Sequence, residues 1–556
     1  MRRNAFLAAG DSMLLLLVLV SLLTRAAALT SPFNYGSASN NKATITSLEW
    51  FSSAKLGMFI HDGPVTQWGT EISFPLICTG LPCAVQGANK STVNITTIAE
   101  LKAHREAYER LGTTYNPSSF NATHIAQTAK AAGFQYVVYT TVHCDGFANW
   151  ISNVTSYNIA NSALQPPRDL FGELVLALRA AGLRVGAYVC PTMWNDDNFV
   201  YPDHLTALNK NGAEFPTYDT RTQPERWTRY LDHMHAMATE LATKYSPDLF
   251  WFDCHDTPDI MDTRLENLLG TIRAENPSSL VLTRNGVFSD YAELVDQSEA
   301  QAKAILGQPT IRAGTPFEIG TTLQASKQWA YDPTSKQKNT SIIISNLMML
   351  SAKGGNYLIN IPPGPTGVWA VGAENVLRDM STWMEINGEA LQHGAAPMEP
   401  YEIPCGTSVA YLMSREKVAG SGGGGGGGGG VVVYVLVPAT TPSGEDVVAE
   451  SPVRGQPTGA QSIRANDHDH GNAVDQLFVG KAISPIKCSG FRPDLMNSQL
   501  KMTRVELLGV PGEVVATQAW SGLTLDATKL LPSPVPSFLS NGVVYKLTFD
   551  EVIREL

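Results

Sequence analysis

The chain has 556 residues, 44% of them hydrophobic, which is enough for roughly two to four domains with buried cores. Its formal net charge is −11, so the composition indicates neither a nucleic-acid backbone nor an anionic membrane surface as a partner. We therefore expect a globular protein that binds no nucleic acid.

The N-terminus predicts a secretory signal peptide over residues 1–28. Arg2 and Arg3 precede an apolar run, residues 13–23, and small residues follow up to Ala28. This order is typical of a signal peptide that is cleaved after Ala28. The run is shorter than the roughly 18 apolar residues that a membrane span needs. We expect no membrane attachment once the peptide is removed; the alternative is that the segment stays uncleaved as an anchor.

Sequons and cysteines indicate an oxidising, secretory route. Five Asn-x-Ser/Thr sequons are candidate N-glycosylation sites: Asn89, Asn94, Asn121, Asn153 and Asn339. The cysteine count of 7 is odd, so at least one cysteine has no partner within the chain. Cys78 and Cys83 are spaced to close a small loop by a disulfide. These features predict an extracellular, lysosomal or vacuolar protein.

A helix-to-strand unit recurs between about residues 45 and 395. Helical patterns alternate with short apolar segments, and at least six strands are predicted, of which six are identified, namely KLGMFIHDG, QYVVYTTVH, RVGAYVCP, DLFWFDCHD, SSLVLTRNG and NYLINIPPGP. This alternation favours a parallel sheet. We predict an α/β fold in which residues 29–397 form a TIM-like (β/α) barrel.

Polar side chains stand at the carboxyl ends of these predicted strands. They are His61, His143, Asp253, Arg284 and Asn360. The carboxyl ends of the strands form the active-site face of such barrels. The sequence therefore predicts that these side chains share one catalytic pocket.

Past residue 398 the helical periodicity disappears. Four segments have the character of strands, VVVYVLVP, MTRVELLG, GEVVAT and VVYKLTFD. They predict a smaller C-terminal β-sandwich over residues 398–556. Between two of these strands lies a glycine-rich segment, residues 420–430, which is predicted to be a disordered loop because consecutive glycines bury nothing and are costly to order.

The strand DLFWFDCHD carries a carboxylate close to an indole. Strand alternation places Trp251 and Asp253 on the same face. Such a pair at a barrel mouth suits sugar chemistry, since the ring is an apolar platform and the carboxylate can attack an anomeric carbon. His61, His143 and Arg284 are suitable donors to sugar hydroxyls. The alternative is a structural aspartate that caps the next helix.

Glycoside hydrolysis needs a second carboxyl group on the other side of the scissile bond. Burial or a neighbouring charge must raise its pKa so that it can donate a proton. The candidates are Glu71, Glu293, Glu299 and Glu318. Spacing does not choose among them.

Four segments resemble, in order, motifs of the α-L-fucosidases of glycoside hydrolase family 29. They are WFSSAKLGMFIHDGP, YVVYTTVHCDGFANW, RDLFGELVLALRAAGLRVGAYV and LSAKGGNYLINIPPGPTG. The resemblance covers about residues 45–395 and, more weakly, the C-terminal region. It implies a barrel followed by a β-sandwich, and a retaining exo-glycosidase that uses no metal or other cofactor. The implied partners are fucosylated glycans or glycoproteins, and a homo-oligomer is compatible with it.

The resemblance also implies roles for individual residues. Asp253 matches the family nucleophile, which would form a covalent fucosyl-enzyme. Glu299 is the best match for the acid/base, and Glu293 is the second. The apolar contact to the C5 methyl of fucose could come from Trp251, Trp329 or Trp194. The predicted substrate-binding set is His61, His143, Arg284, Trp251, Glu71, Tyr188 and Trp329.

Two positions depart from the family motifs. Asp62 replaces the tryptophan that follows the first histidine, and Cys144 replaces the second histidine of the HHDGF-like motif. An aspartate near the pocket would raise the pKa of a neighbouring carboxyl. Cys144 could not donate a strong hydrogen bond to a sugar hydroxyl.

A retaining exo-α-L-fucosidase is the leading hypothesis, and three alternatives stay open. The departures at positions 62 and 144 motivate a catalytically weak, fucose-binding protein. A related exo-glycosidase such as an α-L-galactosidase would have a polar group at the methyl pocket. A metallohydrolase would use His61, Asp62, His143 and Asp145. Linkage preference does not follow from the sequence.

Overall fold

A computed structural model gives the fold. It describes residues 45–78, 81–196, 198–199, 222–253, 264–284, 289–295, 316–392, 395–405, 408–416, 430–439, 486–489, 500–512, 514–519, 522–527, 530, 539, 541 and 543–551. The predicted signal peptide and Glu299 lie outside these residues. So does the predicted glycine-rich loop, except Gly430, which begins a strand.

The first sheet is an eight-stranded, parallel, nearly closed barrel. Its strands are β1 (Leu56–Ile60), β4 (Tyr136–Val142), β5 (Arg184–Val189), β6 (Leu249–Phe252), β7 (Leu280–Thr283), β8 (Ala292–Val295), β9 (Phe317–Thr322) and β10 (Asn356–Asn360). Their spatial order is β7-β6-β5-β4-β1-β10-β9-β8. A small antiparallel hairpin, β2 (Cys83–Gln86) and β3 (Thr92–Ile95), lies between β1 and β4 in sequence. The predicted (β/α) barrel is thereby confirmed, with two more strands, β8 and β9, than the six that were identified in the sequence.

Helices precede, connect and follow the barrel strands. They are α1 (Ile45–Ala54), α2 (Ile98–Thr114), α3 (Ala122–Ala131), α4 (Leu170–Ala180), α5 (Pro224–Tyr245), α6 (Leu265–Glu275), α7 (Thr340–Ala352) and α8 (Ala373–Asn387). α2 begins with a capping box between Thr97 and Glu100, which satisfies backbone donors of its first turn. Within the described part of the chain, no helix is both long and apolar enough to cross a membrane.

The segment before β8 links β7 to β8, the two ends of the strand order. The backbone N–H of Asp290 donates to Val281 O (2.9 Å), and Asp290 Oδ2 accepts from Val281 N (2.7 Å). The same carboxylate forms a buried ion pair with Arg273 of α6 (2.5 Å). The backbone and the side chain of Asp290 therefore bond to β7 in place of a strand pairing between β7 and β8, and they bring β8 close to β7.

The C-terminal region is an antiparallel β-sandwich, as predicted. Its strands are β11 (Ala396–Cys405), β12 (Ser408–Glu416), β13 (Gly430–Val437), β14 (Ile486–Ser489), β15 (Leu500–Leu507), β16 (Val515–Ala519), β17 (Gly522–Asp526) and β18 (Val543–Glu551). The strand order is β15-β18-β13-β12-β11-β14-β17-β16. The five strands from β15 to β11 are joined to the three strands β14, β17 and β16 only by the pairing of Cys405 with Cys488. Residues from both groups of strands share one apolar core. Tyr434 of β13 packs in the barrel core, whereas Val433 and Val435 pack in the sandwich core. Strand alternation thus lets β13 contribute to both cores.

Three disulfides occur among the described residues. Cys78–Cys83 confirms the small predicted loop, and Cys405–Cys488 joins β11 to β14. Cys144–Cys190 joins the segments that follow β4 and β5. The seventh cysteine, Cys254, lies outside the described residues.

We expect the double replacement Cys144→Ser with Cys190→Ser to lower the free energy of unfolding by about 2–4 kcal/mol. The physical reason is that this bond closes a loop with a sequence separation of 46 residues. Denaturant unfolding measures the loss. The matched control is Cys78→Ser with Cys83→Ser, whose separation of 5 predicts a smaller loss. A larger loss in the control would contradict the loop-entropy account.

Candidate active site

A cavity of about 270 Å³ opens at the carboxyl ends of the barrel strands. It brings together four of the five residues predicted to share a pocket, His61, His143, Asp253 and Arg284, whereas Asn360 contacts His61 and is not part of the lining. Its lining comprises Phe59, His61, Glu71, Ile72, Phe74, His143, Cys144, Tyr188, Trp194, Trp251, Asp253, Arg284, Glu293, Gly320 and Trp329. Side chains distant in sequence meet here because parallel strands end at one face of the barrel.

Asp253, which follows β6, is held at two oxygens. Tyr188 Oη donates to Asp253 Oδ2 (2.6 Å), and Arg284 Nη1 donates to Asp253 Oδ1 (2.6 Å). Arg284 also lies over the Trp251 ring, with 5.6 Å from its guanidinium carbon to the ring centroid. These contacts fix the carboxylate and favour its charged form.

Glu293, on β8, is the second carboxyl at this site. Its Oε2 lies 3.2 Å from Arg284 Nε, so one guanidinium contacts both Asp253 and Glu293. Burial raises the pKa of Glu293 to about 8, although the Arg284 charge opposes the shift; Glu318 and Asp253 add to the increase. Glu293 therefore holds a proton at neutral pH, beside a carboxyl group that is paired with Arg284.

In the two other described candidate carboxyls, Glu318 and Glu71, the carboxylate oxygens accept hydrogen bonds from groups of the protein itself. Glu318, on β9, is fully buried and accepts hydrogen bonds from Tyr136 Oη (2.6 Å), Trp251 Nε1 (2.8 Å) and Tyr291 Oη (3.2 Å). Burial raises the pKa of Glu318 to about 7, and Glu318 is not in the cavity lining. Glu71 lines the cavity, but its carboxylate oxygens accept the backbone N–H groups of Ile72, Trp329 and Ala330.

His61 and His143 are neutral, and the Nδ1 atom of each contacts a polar side chain of the protein. Burial lowers the pKa of His61 to about 4 and that of His143 to about 3. Asn360 Oδ1 accepts from the backbone N–H of His61 (3.1 Å) and lies 2.9 Å from His61 Nδ1. Because this oxygen only accepts, the proton of His61 is on Nδ1, so its Nε2 is an acceptor and not the donor to a sugar hydroxyl that the sequence predicted. Ser73 Oγ lies 2.8 Å from His143 Nδ1.

Aromatic rings form the apolar part of the cavity. His143, Tyr188 and Trp251 stack in a row, with centroid separations of 5.4 Å and 5.6 Å. Trp329 lies 5.3 Å from His61, and Phe59 lies 5.3 Å from Trp251. This row places flat apolar surface beside polar groups, the combination that sugar rings require.

Asp62 was expected to raise the pKa of a carboxyl near the pocket, but the charges that raise the pKa of Glu293 are those of Glu318 and Asp253. The Asp62 carboxylate accepts from Tyr115 Oη (2.5 Å), Tyr139 Oη (2.9 Å) and the Gly63 backbone (2.8 Å), and Asp62 is not in the cavity lining. The carboxylate is buried, and its partners are the hydroxyls of Tyr115, which directly follows α2, and Tyr139 of β4. Asp62 is thus a hydrogen-bonding residue of the barrel wall.

Cys144 lines the cavity as half of the Cys144–Cys190 disulfide. The sequence motif showed that Cys144 replaces a histidine, but it did not show that Cys144 is bonded to Cys190. Asp145, a candidate ligand of the metallohydrolase hypothesis, accepts from Tyr108 Oη (2.8 Å). Across the residues that the structure describes, no three His, Cys, Asp or Glu side chains are arranged to hold a metal ion.

Sequence reasoning missed several lining residues. Ile72 and Phe74 lie between β1 and the β2–β3 hairpin, where Phe74 begins a short 3-10 helix (Phe74–Leu76). The sequence of this segment has no α-helical or strand periodicity. Phe59 could have been found, since alternation along β1 places it on the same face as His61. Gly320 of β9 was missed because that strand was not predicted.

A (β/α) barrel whose largely apolar pocket holds two carboxyls at the strand ends is typical of a glycoside hydrolase. The family model described as alpha-L-fucosidase matches residues 22–389. The chain therefore belongs to the α-L-fucosidase family. Bovine tissue alpha-L-fucosidase is 28% identical over 349 residues, 62% of this chain and 68% of the bovine protein.

Solved structures share the fold. Alpha-L-fucosidase isoenzyme 1 from Paenibacillus thiaminolyticus superposes with a TM-score of 0.61 at 22% identity, covering 91% of this chain and 99% of that one. The Thermotoga maritima alpha-fucosidase in complex with fucose superposes with a TM-score of 0.58 at 19% identity. The match covers 93% of this chain and 100% of the Thermotoga chain. Both likenesses extend over the barrel and the C-terminal sheet.

Proposed function

We propose that the protein is a retaining exo-α-L-fucosidase that releases terminal α-L-fucose from glycans or glycoproteins. The observation that carries the proposal is the pair formed by Asp253 and Glu293 on either side of Arg284. Their surroundings separate their protonation states, which is what an acid and a nucleophile require. The confined cavity suits one sugar ring at the end of a chain.

In the first step, Asp253 attacks C1 of fucose while the glycosidic oxygen leaves with the proton of Glu293. A covalent fucosyl-enzyme forms and the leaving alcohol departs. In the second step, Glu293 takes a proton from water, whose oxygen attacks C1 and displaces Asp253. Two displacements at C1 retain its configuration, and each group returns to its starting state.

The remaining side chains bind and orient the sugar. His61 Nε2, the acceptor, takes a hydrogen bond from a hydroxyl, and His143 contacts another. Tyr188 and Arg284 hold Asp253 in position for attack. Trp251, as well as Trp329 and Trp194, supplies apolar surface for the ring and the C5 methyl.

We place the protein in the secretory pathway, outside the cell or in a lysosome or vacuole. Three disulfides among the described residues fit an oxidising compartment. The sequon residues Asn89, Asn94, Asn121 and Asn153 are exposed, and Asn339 is half-buried at the start of α7. Recovery of the mature chain with its N-terminus at residue 29 and with N-glycans would test this placement.

The test of function is hydrolysis of an aryl α-L-fucoside, with the first sugar product followed by NMR. We expect α-L-fucose before mutarotation, as retention requires. β-L-fucose as the first product would exclude the covalent route. No turnover, with fucose still bound, would favour a binding protein.

The matching aryl α-L-galactoside should be a poorer substrate, by about 10²-fold or less in kcat/KM. It adds one hydroxyl to the methyl, and an apolar pocket rejects such an addition only weakly. Comparison of kcat/KM for the two glycosides measures this ratio. A higher kcat/KM for the galactoside than for the fucoside would identify an α-L-galactosidase instead.

A further inference from the structure

An exposed aromatic ring stands at the mouth of the catalytic cavity. Phe74 is 51% exposed, although large apolar side chains are usually buried. Its ring meets Trp194 edge to face, with centroids 6.0 Å apart and an interplanar angle of 81°. Both rings line the catalytic cavity. The exposed face of Phe74 is therefore continuous with the proposed fucose site.

A second cavity adjoins the first at this ring. It is lined by Phe74, Ile77 and residues 82–86, which include strand β2 of the hairpin. The Cys78–Cys83 disulfide closes the loop that precedes this strand. A surface of mixed polar and apolar character thus extends from the catalytic cavity across a covalently restrained hairpin.

The loop that carries Phe74 is attached to the catalytic residues. Ser73 has φ +61°, a left-handed conformation that is uncommon outside glycine, and its N–H donates to Tyr108 Oη (3.0 Å). Ser73 Oγ also contacts His143 Nδ1 (2.8 Å). Two residues earlier, Glu71 accepts the backbone N–H of Trp329 (2.7 Å). The position of Phe74 relative to the cavity is therefore fixed before any ligand arrives.

We propose that Phe74, with Trp194 and residues 82–86, forms the subsite for the leaving group. Its occupant is the sugar residue to which terminal fucose is attached, lying with its apolar C–H face on the Phe74 ring. This inference rests on the proposed function. A pocket that encloses one ring leaves the next sugar at its mouth, and rigid aromatic rings bind such faces at low entropic cost.

The test compares two substrates that share fucose but differ in the leaving group. α-L-Fucosyl fluoride has no second sugar, whereas a fucosyl-hexose disaccharide has one. We expect Phe74→Ala to lower kcat/KM for the disaccharide about threefold to tenfold, and that for the fluoride less than about twofold. Phe74→Tyr should restore disaccharide hydrolysis, because it keeps the ring.

Leu176→Ala is the matched control. Leu176 is an apolar residue of α4 that is 73% exposed, so its truncation should change neither substrate. The proposal is overturned if Phe74→Ala lowers kcat/KM for both substrates equally, or leaves disaccharide hydrolysis unchanged. Thermal unfolding of each variant shows whether the fold is retained.

Failure of the proposed function gives a different result. A parent protein that hydrolyses neither substrate refutes the fucosidase proposal, and the subsite is then judged by calorimetric titration. Weaker binding of the disaccharide to Phe74→Ala, with free fucose bound as before, supports the subsite. The subsite proposal is overturned if Phe74→Ala binds the disaccharide and free fucose more weakly to the same extent, or if it binds both as the parent does.

Discussion

Asp253→Asn should reduce kcat for an aryl α-L-fucoside by roughly 10³-fold or more, because the amide cannot form the covalent intermediate. The carboxylate is held by Tyr188 and Arg284, so the substitution removes the nucleophile from an otherwise assembled site. Steady-state kinetics measures the loss. Calorimetric titration with fucose should show that the sugar still binds.

Asp232→Asn is the control for this substitution. Asp232 is exposed on α5, and loss of its charge should leave kcat within about twofold of the parent. Substantial turnover by Asp253→Asn, with the parent active, would mean that another group is the nucleophile. A fall in Asp232→Asn of similar size would point to a general loss of folding.

Glu293→Gln should separate substrates by their leaving groups. General acid catalysis contributes about 10²- to 10⁴-fold, so hydrolysis of a fucosyl disaccharide should fall within that range. Fluoride leaves without a proton, so fucosyl fluoride should give a burst of fluoride followed by slow turnover, because the base for the second step is missing. Added azide, a nucleophile that needs no base, should speed the slow phase.

The pH profile tests the same residue. The acid acts in its protonated form, which exists below its pKa of about 8. We therefore expect kcat/KM of the parent for the disaccharide to fall as pH rises through about 8, and Glu293→Gln to lose this alkaline limb. Glu385→Gln, an exposed glutamate of α8, should keep the parent profile. An unchanged alkaline limb in Glu293→Gln would assign the acid to another group, with Glu299 as the next candidate.

The sequence alone predicted the barrel and most of its site because these depend on local patterns. Helix and strand periods, together with polar residues at strand ends, located His61, His143, Asp253 and Arg284, all of which line the cavity. β8 and β9 were missed because AELV and FEIGTT are short and carry glutamates, so neither has the apolar pattern of a buried strand.

Tertiary structure decided what each carboxyl can do. Glu293 and Glu318 occupy paired positions of β8 and β9, yet only Glu293 lines the cavity, while tyrosine and tryptophan donors enclose Glu318. Likewise, Asp62 follows His61 directly but contacts Tyr139 of β4 and Tyr115, which follows α2. A carboxyl group's pKa depends on its burial and on partners far away in sequence, so the sequence could nominate these residues but could not assign their roles.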